Sequence, residues 1–177
     1  YNALPRKFMV KKNWAKQLVT AAKRAGAKYI NITTRHHDGF SLYDTRGLSD
    51  FDAPHSACGR DLIAELVDEC HKANILPFFY HTLIDWHEPT YKTDFAAYLD
   101  YLNKSIEILC THYGKVGGFW FDGFWDKPDC DYWQFERLYG TIRKYQPTAM
   151  IINNTGLNAL GQVSHKEIDS VTFERGK

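Results

Sequence analysis

Four apolar runs, at residues 27–34, 75–82, 117–123 and 149–154, alternate with stretches whose apolar residues recur at helical spacing. The first helix is expected over 13–25, where Trp14, Leu18, Ala21 and Ala25 repeat at i, i+4, i+7 and i+11. Asn13 stands where it can cap this helix and Gly26 where it can stop it. Within 59–74, Leu62, Ile63, Leu66, Val67 and Cys70 draw a second stripe. A third helix covers 94–112 on Phe95, Tyr98, Leu99, Leu102, Ile106 and Leu109, and a fourth covers 131–145 on Phe135, Leu138, Ile142 and Tyr145. A fifth strand is read at 169–174. Strand starts fall roughly 30–50 residues apart, the length of a βα unit, and no linker or low-complexity stretch breaks the series.

Repeated βα units predict an α/β fold with a parallel sheet and ligands at the carboxyl ends of the strands. A doubly wound nucleotide-binding sheet would carry a glycine-rich loop after its first strand. The glycines of "THYGKVGGF" (111–119) instead precede a strand. A (β/α)8 barrel fits better, although a complete one usually needs about 250 residues. Residues 1–177 therefore read as one partial barrel domain of about four to five βα units, a segment of a longer catalytic domain. Such a segment is expected to be inactive alone.

Charge excludes some functions. Twenty-two Lys+Arg against 21 Asp+Glu leave a net charge of +1, with no basic stripe of the kind that binds nucleic acid. No apolar run approaches the roughly 20 residues of a membrane span. The sequence opens on Tyr1, carries no legible address to a compartment, and leaves oligomerisation open. Cys58, Cys70, Cys110 and Cys130 form no CxxC pair and no zinc spacing, and Cys70 and Cys110 sit where buried free thiols are expected.

Polar residues gather where the strands end. The first strand ends in Arg35, His36, His37 and Asp38, and the second in Tyr80, His81, Asp85, Trp86, His87 and Glu88. The third ends at Asp122 and Trp125, the fourth at Asn153 and Asn154, the fifth at Glu174. His36 and His37 allow three readings: a metal pair, a loop anchor, or a grip on the hydroxyls of a small polar ligand. Neighbours on a strand point to opposite faces, so both can ligate one ion only if the strand is broken there. No HxH, HExxH or cysteine pairing supports a metal, and none is expected. Aromatic residues make up 15% of the chain; composition alone favours a well-filled core, and the sharper reading is a carbohydrate site, with Trp86, Trp120 and Trp125 offering faces to sugar C–H surfaces.

Asp122, in "GGFWFDGFW" (117–125), ends an apolar strand, where an ionised acid needs partners. It is read as a catalytic carboxylate, with a turn acid before Gly123 as the plain alternative. Asp122 and Glu174 end strands with one strand between them, so the two Cα atoms would stand roughly 10 Å apart at about 4.8 Å per strand step. Side chains leaning together would reach the ~5–5.5 Å of a retaining glycosidase. The plain alternative for Glu174 is a surface acid paired with Arg175.

"AGAKYINITTRHHDGFSLYDT" (25–45) closely resembles the signature of glycoside hydrolase family 29, the α-L-fucosidases. "FFYHTLIDWHEP" (78–89) and "GGFWFDG" (117–123) are similar to the two strands that follow it there, in the same order. The resemblance implies a barrel enzyme, needing no metal or cofactor, that removes terminal α-L-fucose from oligosaccharides or glycoconjugates with retention. It makes Asp122 the nucleophile, His36 and His37 the pair on the fucose hydroxyls, and Tyr80 and Trp120 part of the sugar pocket. Glu174 in "VTFERG" is similar to the stretch bearing the acid/base in part of the family. The family's first strand would precede Tyr1, and its last strands and β-sandwich would follow Lys177. Some members carry an N-D-R-W-G stretch whose Arg approaches the site. Here that segment reads "NNTGLNALG" (153–161), without Arg.

Overall fold

A computed structural model describes residues 3–129, 131–154 and 163–172. Five parallel strands, β1 (Tyr29–Arg35), β2 (Leu76–Thr82), β3 (Gly118–Asp122), β4 (Met150–Asn153) and β5 (Ser170–Val171), form one sheet. Its spatial order is β1-β2-β3-β4-β5, so the strands lie side by side as they follow along the chain. A doubly wound sheet reverses its order at a switch point. This one does not, and is an arc of a barrel.

The helices agree, because they cover one face. These are α1 (Trp14–Arg24), α2 (Leu62–Ala73), the single turn α3 (Thr90–Thr93), α4 (Phe95–Thr111) and α5 (Phe135–Tyr145). Phe79, Phe119, Phe121 and Ile151 point from the strands into the main core, among the apolar stripes of α2, α4 and α5. Alternate residues face the other way. Tyr29, Leu76, Phe78, Trp120, Met150 and Ile152 line an open hollow of about 550 Å³ on that side.

The stripes of α2 and α4 are buried where the pattern puts them, apart from Phe95, which is half-buried. Asp61 and Asp94 accept hydrogen bonds from the N–H groups of Ala64 and Ala97, capping those helices. In α1 the buried stripe sits one position along. Ala15 and Val19 pack on Leu66, Cys70 and Ile75, while Leu18 is exposed. Two overlapping stripes share the same spacing, and Trp14, whose Nε1 donates to Glu65 across α2 at 2.8 Å, turns the helix onto its smaller residues. Asn13 holds the N-cap position without a side-chain cap bond, and Gly26, at φ 78°, ends the helix. Helix α5 begins at Phe135 rather than 131, because Gln134 is left-handed at φ 51°. Cys70 and Cys110 are buried free thiols, which burial pushes up to about 11 and about 12.

Arg35 faces the helices, not the strand ends' open side. It is fully buried, with Nε donating to Ser41 Oγ (2.9 Å) and Nη2 to Tyr43 Oη (2.6 Å) and Ser105 Oγ (2.8 Å). Its guanidinium lies 4.7 Å from the Tyr101 ring centre, and Nη1 stands 3.7 Å from Asp85 Oδ2. His81 is buried beside it, with Nδ1 2.8 Å from the Thr82 carbonyl oxygen. Burial, and then Arg35, holds the His81 pKa well below 6.5. The unfolded chain therefore binds a proton near pH 6.5 that the folded chain refuses, so stability rises with pH through 6.5 and drains away below it. Burial lowers the His37 pKa as well, adding to the trend. His55 opposes it, because its bond to Asp52 raises its pKa. Urea midpoints are expected to fall from pH 7.5 to 5.5, and His81→Gln to flatten the slope by about 1.4 kcal/mol per pH unit, the worth of one proton. An unchanged slope would mean that His81 is not held neutral.

Candidate active site

Asp122 ends β3 and is only 8% exposed. Its Oδ1 accepts from the Gly123 N–H at 2.8 Å and from Asn154 Nδ2 at 3.1 Å. Its Oδ2 accepts from Tyr80 Oη at 2.7 Å. Three neutral donors replace the water that burial removes. Just after the Gly123 N–H the chain turns sharply, Gly123 standing at φ 101° in the left-handed region. The turn acid anticipated as the plain alternative is thus present, but its bond to Gly123 engages only one of the two carboxylate oxygens.

The two histidines stand opposite. His37 Nε2 lies 3.6 Å from Asp122 Oδ2, and the His36 and His37 rings are 4.3 Å apart. The His36 ring also stacks on Tyr80, 10° from parallel at 5.3 Å. Strand alternation would have sent the pair to opposite faces. Instead the register of β1 slips between Thr33 and Arg35, and the strand ends at Arg35, so both residues have left the ladder. The break that a shared ligand requires is therefore there. Ligand atoms of His36, His37 and Asp122 lie within 4.8 Å of one another. For His37, burial and the neighbouring His36 push the pKa down, against Asp122 and Asp38.

Trp86 and Trp125 flank the site as exposed walls, at 60% and 46% exposure. Their rings meet His37 edge-on at 5.5 and 5.9 Å. Trp86 is held there by its backbone: its N–H donates to the His37 carbonyl at 2.8 Å. Asp85 shapes the same loop, Oδ1 accepting from the N–H groups of His87 and Glu88, both at 2.8 Å. Gly39 lets the two loops meet, since a Cβ there would lie 2.4 Å from Asp85 Oδ1. Trp120 lies beside Tyr80, ring centres 5.6 Å apart, and its Nε1 donates to Thr172 Oγ1 at 3.0 Å.

The structure thus brings His36, His37, Tyr80, Trp86, Trp120, Asp122 and Trp125 together at the carboxyl ends of β1, β2 and β3. Glu174 lies outside the described residues. Arg35 and His81, grouped with the site by their place at strand ends, belong to the helix side. Sequence reasoning named Asn154 as a strand end but gave it no task, and passed over Thr82. The signal for both was register, since each lies two residues beyond a site-facing or hollow-facing neighbour.

A profile described as alpha-L-fucosidase matches residues 1–176 of the chain. The chain belongs to the α-L-fucosidase family. Family 29 members of known structure share its fold. An alpha-L-fucosidase isoenzyme 1 from Paenibacillus thiaminolyticus is 36% identical, with a TM-score of 0.74 over 82% of this chain and 39% of its own. A family 29 fucosidase from Bacteroides thetaiotaomicron is 28% identical, at TM-score 0.79 over 86% and 36%, and has also been trapped as a covalent intermediate with 2-fluoro-fucosyl fluoride. The human tissue alpha-L-fucosidase is 32% identical over 115 residues, which are 62% of this chain and 24% of that protein. The chain thus spans about a quarter to a third of the curated α-L-fucosidases it matches.

Proposed function

We propose that the natural protein carrying this chain is a retaining exo-α-L-fucosidase acting on fucosylated glycans, with Asp122 as its nucleophile. The observation that carries this reading is the asymmetry of the Asp122 carboxylate. Among the described residues two donors occupy Oδ1, while Oδ2 accepts from Tyr80 and faces His37. Oδ2 is the attacking atom. It forms a bond to the anomeric carbon as the bond to the aglycone oxygen breaks, and Glu174, by resemblance, protonates that oxygen. Glu174 then takes a proton from water, the water oxygen attacks the same carbon, and the ester to Asp122 breaks, giving fucose with net retention. His36 and His37 receive sugar hydroxyls, and Trp86, Trp120 and Trp125 take its apolar surface. The further barrel strands and the β-sandwich of the family complete the pocket. The covalent intermediate of the Bacteroides relative supports the two-step route.

Incubating the full natural polypeptide with 2-fluoro-fucosyl fluoride should release fluoride and add one 2-fluoro-fucosyl group, mapping to the peptide that contains Asp122. An adduct elsewhere would reassign the nucleophile. No adduct, with fucose still bound, would favour a carbohydrate-binding module that catalyses nothing. A metal-dependent hydrolase is favoured by the compact His36–His37–Asp122 trio, and would lose its activity to a chelator. The fucosidase proposed here should be indifferent to one.

A further inference from the structure

Thr82 ends β2 fully buried, and its side chain has no role in the site as drawn so far. Its hydroxyl lies 2.6 Å from His37 Nδ1 and 2.7 Å from the Ile84 carbonyl oxygen. A hydroxyl carries one proton, and a carbonyl oxygen only accepts. Two oxygens 2.7 Å apart need a proton between them, so Thr82 donates to Ile84. Its lone pair is left for His37, and Nδ1 must carry the hydrogen. The reverse arrangement, Thr82 donating to a bare Nδ1, would press two oxygens together lone pair against lone pair. In the neutral ring Nε2 is then bare, and it faces Asp122 Oδ2 at 3.6 Å.

From this geometry we infer that Thr82 is a positioning residue that fixes the tautomer of His37. It makes Nε2 an acceptor, so a ligand hydroxyl lying against His37 and Asp122 donates its proton to His37. The assignment of the tautomer stands on Thr82 and Ile84 alone; only the identity of the hydroxyl as a sugar's rests on the proposed function. Two acceptors facing each other across 3.6 Å repel until a donor enters. The other tautomer, which free imidazole prefers in water, would aim Nε2–H at Asp122 and draw on the charge the nucleophile needs. Thr82 removes that competitor and leaves Oδ2 to the Tyr80 hydroxyl.

The test is the long-range ¹H–¹⁵N spectrum of the full natural polypeptide with labelled histidine at pH 8, the His37 signals being identified by their loss in His37→Gln. Wild type should give the Nδ1–H pattern, and Thr82→Val the Nε2–H pattern with at least about a tenfold lower kcat/KM on a fucoside. Thr82→Ser should restore both, the rate to within about threefold. An Nε2–H pattern in the wild type overturns the inference by itself, even if Thr82→Val fails to fold. So does a Thr82→Val protein that keeps wild-type tautomer and rate. A wild-type protein with the Nδ1–H pattern that hydrolyses no fucoside would overturn the proposed reaction and leave the tautomer assignment standing.

Discussion

Asp122→Ala in the full natural polypeptide is expected to lower kcat for fucoside hydrolysis by about 10⁴-fold or more, while the protein stays folded. The fold should survive because the freed donors are few and neutral, and no buried charge is left behind. Tyr80 Oη, Asn154 Nδ2 and the Gly123 N–H lose their acceptor, and the space left at the strand end is large enough for a water to take its place. Activity does not survive, because the carboxylate that stands within 4.8 Å of both histidines is gone. Azide should then enter the vacated space, attack the anomeric carbon and yield the β-azide from an activated fucoside. Residual hydrolysis within about a hundredfold of wild type would remove Asp122 from the mechanism.

The second large effect is on stability. Arg35→Met should cost about 3–5 kcal/mol, the loss typical when one member of a buried ion pair goes. Methionine fills most of the volume but leaves Asp85 without a cation, and Ser41, Tyr43 and Ser105 without their donor. Burial already pushes the Asp85 pKa up, opposed by Arg35 and by the N–H groups of Glu88 and His87, so removing Arg35 drives that carboxyl towards its neutral form. The loop it shapes carries Trp86, so KM should rise as well. Denaturant unfolding measures the first effect, and a loss under about 1 kcal/mol would mean that the cluster is not a unit.

How much of this was legible follows from which patterns are periodic. Strand and helix repeats are written in side-chain spacing, so all five strands and the stripes of α2 and α4 were readable, as was a partial barrel. The phase of α1 was not, because two stripes of equal spacing overlap and the choice depends on a Trp14–Glu65 contact 51 residues apart in sequence. The cluster of chemistry at the strand ends was readable as a set, but its two sides were not. Alternation sorts Tyr80 and Asp122 from His81 and Phe121 while the strand runs regularly. The register slip in β1 overrides it for Arg35, His36 and His37, and no residue type marks the slip. The hydrogen on His37 was beyond any spacing rule, because Ile84, two residues past the strand, decides it.

One donor to Asp122 differs from the others in kind. Tyr80 and Asn154 are side chains that a single base change can remove, whereas the Gly123 N–H belongs to the main chain. Only proline lacks that group, and proline cannot adopt φ 101°. Heredity therefore has unequal access to the three supports of this carboxylate. Descendants are free to trade the two side chains while retuning the acid, but the backbone support persists for as long as the turn does.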